Sequence, residues 1–159
     1  MNVLIDIAQA CLADLKLETR RVKDLPILNL TVQSPNGKLD MFVHAHEDNQ
    51  RLLVYSRPQG INLKPIDIAA MAEFLTRANY GLFVGNFELD YSDGEVRFKT
   101  SLSVQGSRMN SALISEVVTP SLLLMDQYLP GLNAVATGQM SPQAAIEWVE
   151  SAEIGRAHV

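Results

Sequence analysis

The densest group of side chains able to do chemistry is His44-Ala45-His46-Glu47-Asp48. Successive side chains of a strand point to opposite faces, so His44 and His46 share one. Two imidazoles at that spacing, completed by an acidic third ligand, are a donor set usable for zinc. A metal-dependent hydrolase would need more than this run offers. There is no further Asp-His pair, and the remaining histidine is His158, close to the C-terminus. The preferred reading is a polar strand end beside a turn, with His44 and His46 as candidate ligands of the rival, metal-dependent enzyme, and no cofactor expected.

Other catalytic frames fail on spacing. Around Tyr91-Ser-Asp-Gly94 a calcium loop starting at Asp90 would need Gly at its sixth position and Glu at its twelfth, and has neither. Asn36-Gly-Lys38 lacks the glycine-rich frame of a phosphate loop, and no serine stands in a G-x-S-x-G frame. A formal net charge of −5, with no basic run longer than Arg20-Arg21, argues against a phosphate-dominated nucleic-acid surface. These exclusions favour a non-enzymatic protein.

The elements that would position such residues are legible from alternation. The clearest case spans Phe83 to Val104, two alternating runs joined at Asp93-Gly94, the composition of a two-residue hairpin turn. That turn would oppose Leu89 with Phe98 and Phe87 with Thr100 on a core face, and Asp90 with Arg97 and Glu88 with Lys99 on a charged face. Upstream, Ile27 to Gln33 and Lys38 to His46 flank a turn placed at Asn36-Gly37, which pairs Val32 with Met41. A second turn at Asp48-Asn49 sets Ala45 against Leu52 and Val43 against Val54, extending the sheet into Arg51 to Arg57. Five antiparallel strands result.

Helical periodicity fills the rest. Asn2 can cap a helix burying Leu4, Cys11, Leu12 and Leu15, and Lys16 to Pro26 is a connector. Pro65 suits the first position of a mostly buried helix over Ile66 to Ala78. Asn110 can cap a helix that Pro120 kinks or restarts, Leu129-Pro-Gly-Leu132 breaks the pattern, and Ser141-Pro142 starts a last helix burying Ala145, Trp148 and Val149. Gly155 to Val159 is a frayed tail.

At 159 residues, 47% hydrophobic and 19% charged, the chain suits one domain over 1–159, with a C-terminal helical extension over about 110–153. Cys11 falls on the apolar stripe of the first helix, which fits a buried thiol in a reducing cytoplasm. Val3 to Ile7 lacks the basic flank of a signal peptide, and no apolar stretch approaches the ~20 residues of a membrane span. A soluble cytoplasmic protein is expected, with no membrane partner.

Asn79-Tyr-Gly-Leu-Phe-Val-Gly-Asn-Phe-Glu-Leu-Asp90, then Asp-Gly-Glu-Val-Arg-Phe98, Met125-Asp-Gln-Tyr-Leu-Pro-Gly-Leu132 and Gly138 with Ser-Pro-x-x-Ala145, resemble the YbjN domain family. The resemblance runs from the first helix to Trp148. It implies an α+β fold like that of type III secretion chaperones, an antiparallel sheet in α-βββ-α-ββ-α order with helices mainly on one face, and a regulatory or chaperone-like role. It carries no catalytic residue to this chain.

With the core face assigned, the opposite face of the meander carries Ile27, Phe42, Leu53 and Tyr55, and Leu82 and Val84 are assigned to it from the central hairpin. A face bathed in water should read polar, so something is expected to cover this one. The candidates are a C-terminal helix, a second copy or an extended peptide. We expect a protein or peptide partner and a homodimer, with Phe42, Leu53, Tyr55, Leu82 and Val84 as contacts, rimmed by Arg51, Arg57 and Glu88.

Overall fold

The computed structural model of the protein describes residues 3–106 and 108–151. The helices are α1 (Val3–Asp14), α2 (Ile68–Asn79), α3 (Ser111–Ala136) and α4 (Pro142–Ser151). The strands are β1 (Arg20–Arg21), β2 (Ile27–Ser34), β3 (Gly37–His46), β4 (Arg51–Pro58), β5 (Asn86–Leu89) and β6 (Val96–Ser103). They form one antiparallel sheet in the order β1-β2-β3-β4-β6-β5. The expected α+β order is present, with β1 as a sixth strand in the segment read as a connector. Asn2, the proposed cap, and the Gly155–Val159 tail with His158 lie outside the described residues.

Alternation decides which side of the sheet is buried. Leu28, Met41, Val43, Leu52 and Val54 lie inward against Ile5 and Leu12 of α1 and Ile114 and Val118 of α3. Farther along, Phe87, Val96 and Phe98 lie inward against Phe74 of α2, Met125 and Leu132 of α3, and Val149 of α4. Helix α3 spans both parts of the core, and Leu122 packs against each. At 1.5 Å per residue this 26-residue helix is roughly 39 Å long, enough to cross the sheet.

Buried hydroxyls fasten α3 to the strands beneath it. Ser56 and Ser121 share a hydrogen bond of 2.6 Å, and Thr100 Oγ1 donates to the Val117 carbonyl at 2.7 Å. That bond falls beside the ladder that Pro120 disturbs, where a carbonyl can take a donor from outside the helix.

Two expected registers are corrected. In the first hairpin Val32 opposes Leu39 and Ser34 opposes Gly37, so the turn is Pro35-Asn36. In the central hairpin Leu89 opposes Val96 and Phe87 opposes Phe98, with Asp90 N–H bonded to the Glu95 carbonyl across a four-residue loop. The charge pairing that favoured the shorter turn is met differently: Glu88 takes both Arg97 and Lys99, and Asp90 turns to the Ser92 amide and hydroxyl. The third register, Ala45 with Leu52 and Val43 with Val54, is as expected.

The helices bring further corrections. Pro65–Asp67 is a 3-10 turn ahead of α2, and Ile66 is exposed. Helix α3 runs unbroken through Pro120 and Pro130, and Trp148 is 48% exposed on α4, away from the core.

Candidate functional site: the open face of the sheet

All four helices pack on the inward face. The outward face is a set of rows set by strand pairing. One row runs Arg20, Asn29, Phe42, Tyr55, Lys99, Asn86 across all six strands. Beside it lies Ile27, His44, Leu53, Ser101, and on the other side Thr31, Asp40, Arg57.

The half-buried rings at its centre are held by cations and by each other. The Arg97 guanidinium sits 4.1 Å from the Tyr55 ring centroid, and that of Arg57 is 5.2 Å from the Phe42 centroid. His44 meets Tyr55 edge-on at 5.2 Å. Cation–π contacts at exposed sites contribute about 0.5–1 kcal/mol each. Arg57 is itself placed by Glu95 at 3.1 Å and, more loosely, Asp40 at 3.9 Å; Arg97 and Lys99 converge on Glu88 at 2.7 and 2.9 Å. A shallow hollow of about 150 Å³ lies among Phe42, His44, Tyr55, Arg57, Glu95 and Arg97. A second, of about 310 Å³, lies between Arg20, Asn29, Thr31, Asp40 and Phe42. Phe42 lines both.

Titration follows from these neighbours. Burial first, then the positive charges of His46 and Arg97, hold the His44 imidazole below its ordinary pKa, which favours the neutral ring. Burial would raise the Glu88 carboxyl, but the hydrogen bonds and charges of Lys99 and Arg97 outweigh it and hold the group below the usual carboxylate range.

The structure brings Phe42, Leu53 and Tyr55 together, with Phe42 directly opposite Tyr55. It separates Leu82, which packs against the inward core, and Val84, which lies in the loop before β5. His44 and His46 do share the outward face. The neighbouring acid does not join them, because the Glu47 carboxylate accepts the Leu4 amide at 2.6 Å and caps the start of α1. Among the described residues no group of three His, Cys, Asp or Glu side chains is placed to hold a metal ion. Sequence reasoning did not find Arg97 as a site residue, although its place on the charged face of the central hairpin was a usable signal.

The two ends of the sheet are finished differently: β1 covers only Leu28 and Asn29 of β2, whereas β5 is closed by a side chain. Strand β1 is two residues long, and at β5 the Asn79 side chain accepts from the Phe87 amide at 2.6 Å and donates to the Phe87 carbonyl at 3.1 Å. One amide thus imitates a neighbouring strand.

A family model matches residues 6–134, most of the chain and every strand just described. The chain belongs to the YbjN family. The family is described as "Putative bacterial sensory transduction regulator". YbjN of E. coli superposes with a TM-score of 0.64 at 18% identity, covering 84% of this chain and 93% of that one. A chain of the HopA1–SchA chaperone–effector complex gives 0.51 at 13% identity, covering 78% and 91%. At these identities the fold is what is shared, and it is the chaperone-like α+β arrangement expected from the sequence. No curated protein matches the chain. No helix among the described residues of this YbjN-family chain is long and apolar enough to cross a membrane.

Proposed function

We propose that this YbjN-family protein is a non-enzymatic protein-binding module, an adaptor or chaperone-like regulator, whose working surface is the outward face of its sheet. The observation that carries the reading is one-sided packing. Phe42, Leu53 and Tyr55 sit on a face that none of the four helices covers, rimmed by polar and charged groups in the manner of an interface core. A chaperone–effector complex among the structures sharing this fold supports it by analogy only. Buried, free Cys11 fits a reducing, cytoplasmic setting for the same proposal.

A second copy of the chain is the rival occupant, since an isologous dimer through Phe42, Leu53 and Tyr55 would cover the same patch. Light scattering on the purified protein, wild type and Tyr55→Glu, tests both. A wild-type dimer that Tyr55→Glu turns into a folded monomer supports the homodimer. A wild-type monomer whose Tyr55→Glu variant loses a partner captured by the wild type supports the adaptor, and a monomer with no Tyr55-dependent partner counts against the module altogether.

A further inference from the structure

The charge of the outward face runs against that of the chain. Its strand positions carry six basic residues, Arg20, Lys38, Arg51, Arg57, Arg97 and Lys99, against two acidic ones, Asp40 and Glu88. Even with Asp90 and Glu95 of the adjoining loop added, the face keeps a positive surplus on a chain of net charge −5. The strongly negative remainder lies elsewhere, so the fold has sorted its charges by side.

The pairing within the face sharpens this. Glu88, Glu95 and Asp40 are consumed by Arg97, Lys99 and Arg57. Arg20, Lys38 and Arg51 have no ion-pair partner among the described residues. Arg21, the neighbour of Arg20 on the inward side, is by contrast engaged by Asp6 and Gln9 of α1. The unpaired cations flank the aromatic strip from three sides of the sheet: Arg20 at the outer strand, Lys38 at the start of β3 and Arg51 at the start of β4.

We infer that this face takes an acidic, extended protein segment that lays apolar side chains into the hollows on either side of Phe42 and its carboxylates against Arg20, Lys38 and Arg51. The inference rests on the binding-module reading and gives it a partner chemistry. Charge complementarity selects this occupant over a second copy, because isologous pairing would set the positive face against itself. Asn79 closes the β5 edge to strand addition, and Phe42, at the middle of the face, lines both hollows, which directs the segment across the face.

The test uses the full chain and three fluorescein-labelled twelve-residue peptides, (Glu-Leu-Asp-Phe) repeated three times, its Gln/Asn analogue and its Lys analogue, followed by anisotropy at low and moderate salt. The acidic peptide is expected to bind at least about tenfold tighter than the neutral one, a preference that shrinks as salt rises, with no binding of the basic one. The triple variant Arg20→Glu/Lys38→Glu/Arg51→Glu, which breaks no ion pair, should lose that preference with an unchanged melting curve. Arg77→Ala on α2 should keep it. Equal binding of the acidic and neutral peptides at this face overturns the charge inference while leaving the binding module standing. Tighter binding of a single-stranded oligonucleotide, a dimer whose interface is this face, or an acidic preference that survives the triple variant each overturns it as well. A folded monomer whose face takes none of the peptides overturns both readings.

Discussion

Pro130 removes the amide that would bond the Asp126 carbonyl one helical turn earlier, which is why such a residue ordinarily ends or kinks a helix. Here the missing donor comes from another element. The Asn36 side-chain amide donates to the Asp126 carbonyl at 3.0 Å, and the Asn36 backbone N–H donates to the Asp126 carboxylate at 2.8 Å. Gly131, next to the proline, leaves the Phe74 ring room: a Cβ there would stand 2.7 Å from it. A local rule that reads Pro-Gly as a break fails because both disruptions are compensated by groups about 90 and 57 residues away, beyond the reach of a sequence window. Asn36→Ala should therefore destabilise the fold by about 1 kcal/mol. In a Pro130→Ala background, where the helix supplies its own donor, the same change should cost less; a double-mutant cycle by urea unfolding checks this, and strict additivity would refute the assignment. His44 supplies a second residue-scale expectation. Its folded pKa lies below the ordinary 6.5, so the unfolded chain takes up the proton first as pH falls. Stability should be level above about pH 6.5 and decline from there down through the folded pKa. His44→Gln should remove that part of the decline, as followed by thermal unfolding between pH 8 and 5.

Strand pairing shows what alternation can and cannot decide. Shifting a register by two residues leaves every side chain on its own face, so the hydrophobic pattern fixes the faces and is blind to such a slip. Both misread hairpins slipped by two, at turns whose chemistry admits more than one closure, while the β3–β4 pairing and the assignment of Leu28, Val43, Val54 and Phe98 to the core were legible. The site was legible in the same measure: Phe42 and Tyr55 follow from alternation within one meander. Leu82 and Val84 do not belong with them because β5 begins only at Asn86. Gly85 shows why, since it takes φ +78° and a Cβ there would lie 2.6 Å from the Lys99 carbonyl; the chain enters the sheet through that close approach. At the β5 edge, Asn79→Ala would strip the Phe87 amide of its partner and leave the Phe87 carbonyl with the Asn86 side chain alone. A loss of about 1–2 kcal/mol is expected, together with concentration-dependent self-association visible by sedimentation velocity. A variant that stays monomeric and equally stable would show that the edge needs no such guard.

Among the described residues every helix lies on one side of the sheet, and that asymmetry makes neighbouring residues of β4 behave oppositely. Val54 is fully buried against α1 and α3, so Val54→Glu would put an unpaired carboxylate into the core, at a cost of several kcal/mol, and should abolish cooperative folding. Tyr55, one residue on, faces outward. Tyr55→Glu gives up the contacts of its ring with Arg97 and His44, about 1–2 kcal/mol together, and the new carboxylate lies near the Arg57 and Arg97 guanidinium groups, which offsets part of that loss. The variant should therefore stay folded, melting within about 5–10 °C of wild type on the usual relation between free energy and melting temperature. It should also lose whatever the outward face binds, because the substitution removes the central ring and lowers the positive surplus together. Circular dichroism melts of the two variants side by side decide the matter: an unfolded Tyr55→Glu, matching Val54→Glu, would mean that the aromatic strip belongs to the core and that the sheet has no open face to offer a partner.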